Sequence, residues 1–137
     1  MNAGPGEGAP IRVLVVIEDD ADFRRLIRMT LASDERLEVE GEAANADDAL
    51  PLAREMRPQL VVLDHFIEGS VMGIELAPLL KREAPEAKIL LFTTHDLAVE
   101  VAREPAIDRY LRKHDLADLL PTVRAMLGLA QDVPPGQ

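Results

Sequence analysis

The chain has no cysteine, which excludes a disulfide scaffold, a thiolate zinc centre and a cysteine nucleophile, and fits a reducing compartment. No apolar run approaches the ~20 residues of a membrane-spanning helix. The opening MNAGPGEGAP has neither the basic start nor the apolar core of a signal peptide, so a cytoplasmic protein with no membrane partner is expected. Basic residues are in the minority, 15 Lys and Arg against 25 Asp and Glu, for a net charge of −10. Affinity for nucleic acid comes largely from cations that neutralise phosphates, so no direct nucleic-acid binding is expected and any DNA contact has to come from a partner. Aromatic residues are only 3% of the chain, with a single tyrosine, Tyr110. No P-loop or glycine-rich turn follows the first apolar run, which argues against a nucleotide-binding enzyme.

What is present is enough for one domain: 137 residues, 47% of them hydrophobic. Residues 1–10, rich in Gly and Pro, read as a disordered tail, residues 11–129 as the folded domain and residues 130–137 as a C-terminal tail. The domain is organised around Leu60 to Asp64, LVVLD, four apolar residues that end on a carboxylate. An apolar run without alternation is the pattern of a strand covered on both faces by helices. Asp64 then lies at the carboxyl end, the edge at which open parallel sheets bind ligands. Val13 to Asp20, VLVVIEDD, is built alike and ends on three acids. If the two strands are neighbours, Glu18, Asp19 and Asp64 converge. Two carboxylates ~4 Å apart repel by roughly 4 kcal/mol at an effective dielectric near 20, a conflict that a bound cation removes.

Taken in order, the pattern predicts a strand over Ile11 to Ile17 and a helix capped by Asp20 that runs to about Ala32, with Phe23, Ile27 and Leu31 on its inner face. Leu37 to Ala43 alternates as a half-exposed edge strand does. Asn45 caps a second helix to about Met56, and Pro58 stops it. After the central strand and a loop over His65 to Met72, a third helix spans Gly73 to Glu83. Lys88 to Phe92 is a buried strand that ends on Thr93 and Thr94. Asp96 caps a short helix ended by Pro105, Ile107 to Leu111 is a fifth strand, and Leu116 to Leu129 is the last helix. Pro51, Pro78 and Pro121 fall inside predicted helices, so the regular part of each is expected to begin late or to kink there. Strands alternating with helices at this spacing imply a parallel sheet with helices on both faces.

Glu18 with Asp19, Asp64, Thr93 and Lys113 therefore stand at the ends of strands one, three, four and five. VVIEDD, VVLD, LLFTT and YLRK, in that order, resemble the receiver domain of bacterial two-component response regulators over about Ile11 to Leu129. The resemblance implies a doubly wound, flavodoxin-like α/β fold, a five-stranded parallel sheet of order 2-1-3-4-5 flanked by five helices, the arrangement also known from a chemotaxis member of the family. It implies that Asp64 is the phosphoacceptor, taking a phosphoryl group from a sensor histidine kinase or a phosphotransfer protein. It further implies that Glu18, Asp19, Asp64 and the backbone carbonyl of Phe66 hold Mg²⁺, a hard cation suited to oxygen ligands. Lys113 would pair with Asp64 at rest and with the phosphoryl afterwards, and the Thr93 hydroxyl would donate to a phosphoryl oxygen. Thr93 and Tyr110 would form a switch that shifts the face of helix four, strand five and helix five, a two-state equilibrium biased by the new charge. That face would meet an effector protein, an effector domain of a longer chain, or a second copy in a homodimer.

Simpler roles stand beside these. Acids after a strand usually cap the next helix, and Asp20 is read that way; one cap suffices, which leaves Glu18 and Asp19 for a cation. Tyr110 can be ordinary packing. His65, His95 and His114 form no recognisable ligand cluster. Family members usually carry a proline four residues after the acceptor and a glycine eight after it, whereas here Glu68 takes the first place and Gly73 comes one residue late. His114 replaces the proline that often follows the lysine, so a trans bond is expected. Phe66 and His95 occupy positions that influence how quickly the phosphoryl is lost in this family, and an apolar Phe66 points to slow loss. The expected chemistry is limited to self-phosphorylation and self-dephosphorylation, not turnover of a small molecule. The competing functions are a phosphorylation-independent, receiver-like interaction module and a haloacid-dehalogenase-type phosphohydrolase. The latter needs a second Asp where Phe66 stands. The kinase, the oligomeric state and a single-domain or longer regulator are left open.

Overall fold

A computed structural model of the chain describes residues 9–16, 21–67, 69 and 71–131. Five strands, β1 (Ile11–Val16), β2 (Leu37–Ala43), β3 (Leu60–Leu63), β4 (Lys88–Thr93) and β5 (Arg109–Arg112), form one parallel sheet in the order β2-β1-β3-β4-β5. The helices are α1 (Ala21–Ala32), α2 (Ala46–Met56), α3 (Gly73–Glu83), α4 (Ala98–Ala102) and α5 (Leu119–Leu127), with a 3₁₀ segment over Lys113–Asp118 ahead of α5. Fold and strand order are those implied by the resemblance. Among the described residues no helix is long and apolar enough to cross a membrane.

Why β1, β3 and β4 read as unbroken apolar runs is visible in the two cores. Val13, Val15, Leu60, Val62, Leu90 and Phe92 face one side with Ile27 and Leu31 of α1 and Leu119 and Val123 of α5. The residues between them, Leu14, Val16, Val61, Leu63, Ile89 and Leu91, face the other with Ala49 and Ala53 of α2 and Leu76 and Leu80 of α3. Side chains on a strand alternate between faces, so a sheet buried on both sides needs an apolar residue at every position. Each fully buried Leu, Ile or Val contributes roughly 1.5–3 kcal/mol. β2, at the edge, alternates as expected, with Leu37 buried and Glu38 and Glu40 exposed.

The ends of the elements depart from the sequence reading in places. Asn45 caps α2, its Oδ1 accepting the Asp48 N–H at 2.8 Å. Asp20 and Ile17 lie outside the described residues. Asp96 sits one residue ahead of the cap position of α4, and its carboxylate accepts the Ala98 N–H at 3.3 Å. β5 begins at Arg109, two residues later than expected, because Ile107 is held in a turn by Glu104 O and Asp108 is engaged beside β4: its N–H donates to Ile89 O and its carboxylate accepts Ile89 N–H and the Lys81 ammonium. The last helix begins at Leu119 and so places Pro121 in its first turn, where no intrahelical N–H is missed, as expected. Pro51 and Pro78 do not delay their helices, which start five residues earlier at Ala46 and Gly73. Each forgoes one backbone bond. For Pro51 the freed acceptor is the carbonyl of Asp47, an exposed residue that water can reach. The Lys113–His114 peptide is trans, as expected.

Candidate functional site

Asp64 follows the last residue of β3, and its N–H donates to Val16 O at 3.0 Å, so the acid is fixed against the end of β1. The residue is only 7% exposed. Its Oδ1 accepts the His65 N–H at 2.7 Å, and its Oδ2 accepts the Lys113 ammonium at 2.6 Å. Lys113 is brought there by β5, whose last residue, Arg112, is in register with Thr93. The lysine side chain is 15% exposed, and its Nζ also lies 4.3 Å from the centroid of the Phe23 ring, which stacks on Phe92. An ammonium over an aromatic face is attracted by the ring's negative face, so Phe23 and the carboxylate together fix where the Lys113 head sits. The resting pair expected between Lys113 and Asp64 is thus present, and the role of Phe23 beneath it was not foreseen from the sequence.

Thr93 ends β4 and is fully buried, with Oγ1 accepting the His95 N–H at 3.4 Å. Tyr110 is half-buried; its hydroxyl donates to His95 O at 2.7 Å and accepts the Leu97 N–H at 2.8 Å, so the expected switch residue grips the β4–α4 loop. Phe66 is 42% exposed at the rim, its ring 4.4 Å from that of His95 and 4.9 Å from that of His65. Burial holds the His65 imidazole below its ordinary value of 6.5, against the opposing pull of the Asp64 carboxylate. A neutral ring is what its Nδ1 needs to accept the Ile74 N–H. Glu18 and Asp19, the other expected metal ligands, lie outside the described residues, and among the described residues no group of three acids or histidines could hold a metal.

The late glycine has a steric explanation. A Cβ at Gly73 would stand 2.1 Å from Asp64 O and 2.7 Å from His65 Cα, and the Gly73 N–H donates to His65 O at 2.6 Å. The start of α3 therefore rests on the peptide between Asp64 and His65, where only hydrogen fits. The Glu75 carboxylate reaches back to the Met72 N–H and fixes the same turn of helix.

These features can be set beside known proteins. A family profile described as "Response regulator receiver domain" matches residues 14–124. The response regulator protein VraR of Staphylococcus epidermidis is 32% identical over an alignment of 115 residues that covers 79% of this chain and 54% of VraR. The chain thus spans about half the length of the curated relatives it matches. Among solved structures, a two-component response regulator of the LuxR family from Aurantimonas sp. aligns with a TM-score of 0.78 at 29% identity, covering 92% of this chain and 91% of that one. The response regulator domain of Thermotoga maritima CheB aligns at 0.75 and 20% identity over 89% and 99%, a likeness of fold. With its sheet order and a profile match across both the acid after β3 and the lysine after β5, this chain belongs to the response regulator receiver domains, the signalling modules of two-component systems.

Proposed function

We propose that this receiver domain accepts a phosphoryl group on Asp64 from the phosphohistidine of a sensor kinase or phosphotransfer protein. The observation that carries the reading is the Lys113–Asp64 contact at 2.6 Å between residues 49 positions apart, on an acid that is only 7% exposed. Asp64 accepts two donors among the described residues, one on each oxygen, although a carboxylate has about four lone-pair sites. Capacity is left for an oxygen to attack phosphorus while the P–N bond to the donor imidazole breaks and the nitrogen leaves with the electron pair. Lys113 then follows the charge from carboxylate to phosphoryl, and Thr93 supplies a hydroxyl donor from the next strand.

Glu18, Asp19, Asp64 and the Phe66 carbonyl are an all-oxygen donor set that fits Mg²⁺, and the open lone-pair positions of Asp64 suit a further ligand. When bound, the ion would neutralise the phosphoryl oxygens during transfer. The output is a shift of the face built from α4, β5 and α5, read by an effector protein, by an effector domain of a longer chain or by a second copy. The half-length match to longer regulators supports the second of these.

The test is intact mass spectrometry after incubation with Mg²⁺ and acetyl phosphate. A phosphoryl-sized gain in the wild-type chain, absent in Asp64→Asn and kept in Asp34→Asn, is expected. An unmodified wild-type chain, or equal labelling of Asp64→Asn, refutes the proposal.

A further inference from the structure

Two side chains of β5 hold the loop that follows Thr93. Residues 110 and 112 share a face of the strand, since strand side chains alternate. Tyr110 takes His95 O and Leu97 N–H, and the Arg112 guanidinium donates through an NH₂ group to Thr94 O at 2.8 Å. The segment between β4 and α4 is thus clipped at three backbone groups, and Arg112 holds the one nearest Thr93. The arginine is otherwise ill-served. Its Nε is buried and finds no acceptor among the described residues, where Arg112 also makes no ion pair. A buried N–H without an acceptor is costly, and a guanidinium on a long flexible stem could turn it to water. In this arrangement the guanidinium keeps the Thr94 bond while its Nε goes unmet among the described residues.

We propose that Arg112 is a positioning residue that holds Thr94, and through it Thr93, in the resting arrangement, so that drawing Thr93 toward a phosphoryl on Asp64 requires the Arg112–Thr94 bond to break. This rests on Asp64 being the phosphoacceptor. Because the bond is partly offset by the unmet Nε, the hold is a weak one that a new charge can overcome. A lysine at the same position would keep a cationic donor for Thr94 O without the orphaned Nε, whereas methionine would remove both.

The experiment compares the wild-type chain with Arg112→Met and Arg112→Lys in two measurements. The first is amide hydrogen exchange of the unliganded proteins. The second is titration with beryllofluoride and Mg²⁺, followed by the fluorescence of Tyr110, which is free of interference in a chain with one tyrosine and no tryptophan. Arg112→Met should exchange faster at Thr94 to Leu97 with an unchanged melting temperature, and should bind beryllofluoride about threefold more tightly, the equivalent of losing one weak hydrogen bond from the resting state. Arg112→Lys should exchange like the wild type and bind no more tightly than it. A merely loosened fold would weaken binding instead. Unchanged exchange in Arg112→Met, or affinity equal to or below the wild type, overturns the proposal. Should Arg112→Met fail to fold, Arg112→Gln takes its place under the same criteria. If the wild type itself ignores beryllofluoride, the phosphoacceptor reading falls and with it the switching role. The exchange measurement then decides separately whether Arg112 positions the loop.

Discussion

Two buried aspartates, one at each end of the sheet, differ in how far their hydrogen-bonding capacity is used. Asp34, 3% exposed beyond α1, has four donors: the Arg36 N–H and Nε on Oδ1, and an Arg36 NH₂ group and the Arg124 Nε on Oδ2. Every lone-pair site of the carboxylate is used. The Arg36 hydrogen bonds, the largest influence, hold this acid far below the ordinary 3.8 despite its burial, and Arg124 helps. Asp64, 7% exposed, has two donors among the described residues, one of them a lysine on a flexible stem. Burial is similar and the hydrogen bonding is not. Saturation makes Asp34 a clamp between the α1–β2 turn and α5, while Asp64 keeps lone-pair positions unused among the described residues, as the proposed phosphoacceptor requires.

The two acids differ most in stability. Asp34→Ala should cost about 4 kcal/mol, read by urea denaturation, because Arg124 is left buried without its carboxylate. A loss below about 1 kcal/mol would show that the clamp is ornamental. Gly73→Ala comes next, at about 3 kcal/mol, since the new methyl would have to displace the backbone of Asp64 and His65. Near-native stability there would mean that α3 can withdraw from the Asp64–His65 backbone without penalty.

Smaller effects separate the two acids further. Phe66→Asn should shorten the lifetime of the phosphorylated protein by about fivefold, the equivalent of ~1 kcal/mol in the barrier, by opening the rim to water. An unchanged lifetime argues against a shielding ring. Asp64→Asn should move the unfolding free energy by about 1 kcal/mol, far less than Asp34→Ala, because the amide oxygen can still accept the Lys113 ammonium and the acid has two donors to lose among the described residues where Asp34 has four. Acid should act mainly through Asp34. Its folded-state value is depressed, so its stabilisation is complete above the unfolded value near 3.8 and declines as the pH falls below it. The urea midpoint should drop between pH 5 and pH 3 by more in the wild type than in Asp34→Asn. Equal slopes would assign the acid sensitivity elsewhere.

Local pattern carried much of this protein. Unbroken apolar runs marked β1, β3 and β4 because a strand covered on both faces has no polar side, and Asn45 marked the start of α2 because a short polar side chain is what a helix N-terminus lacks. The acid after LVVL and the lysine after YLR could be placed at strand ends for the same reason. Other features depended on distances that no local rule contains. Arg124 reaches Asp34 across 90 residues, Arg112 finds the Thr94 carbonyl, Phe23 lies under Lys113, and α3 begins on the peptide of Asp64. Propensity and periodicity determine which segments are strands and which face of each is apolar. The register between parallel strands, and hence which polar groups meet at their ends, is decided only when both cores pack.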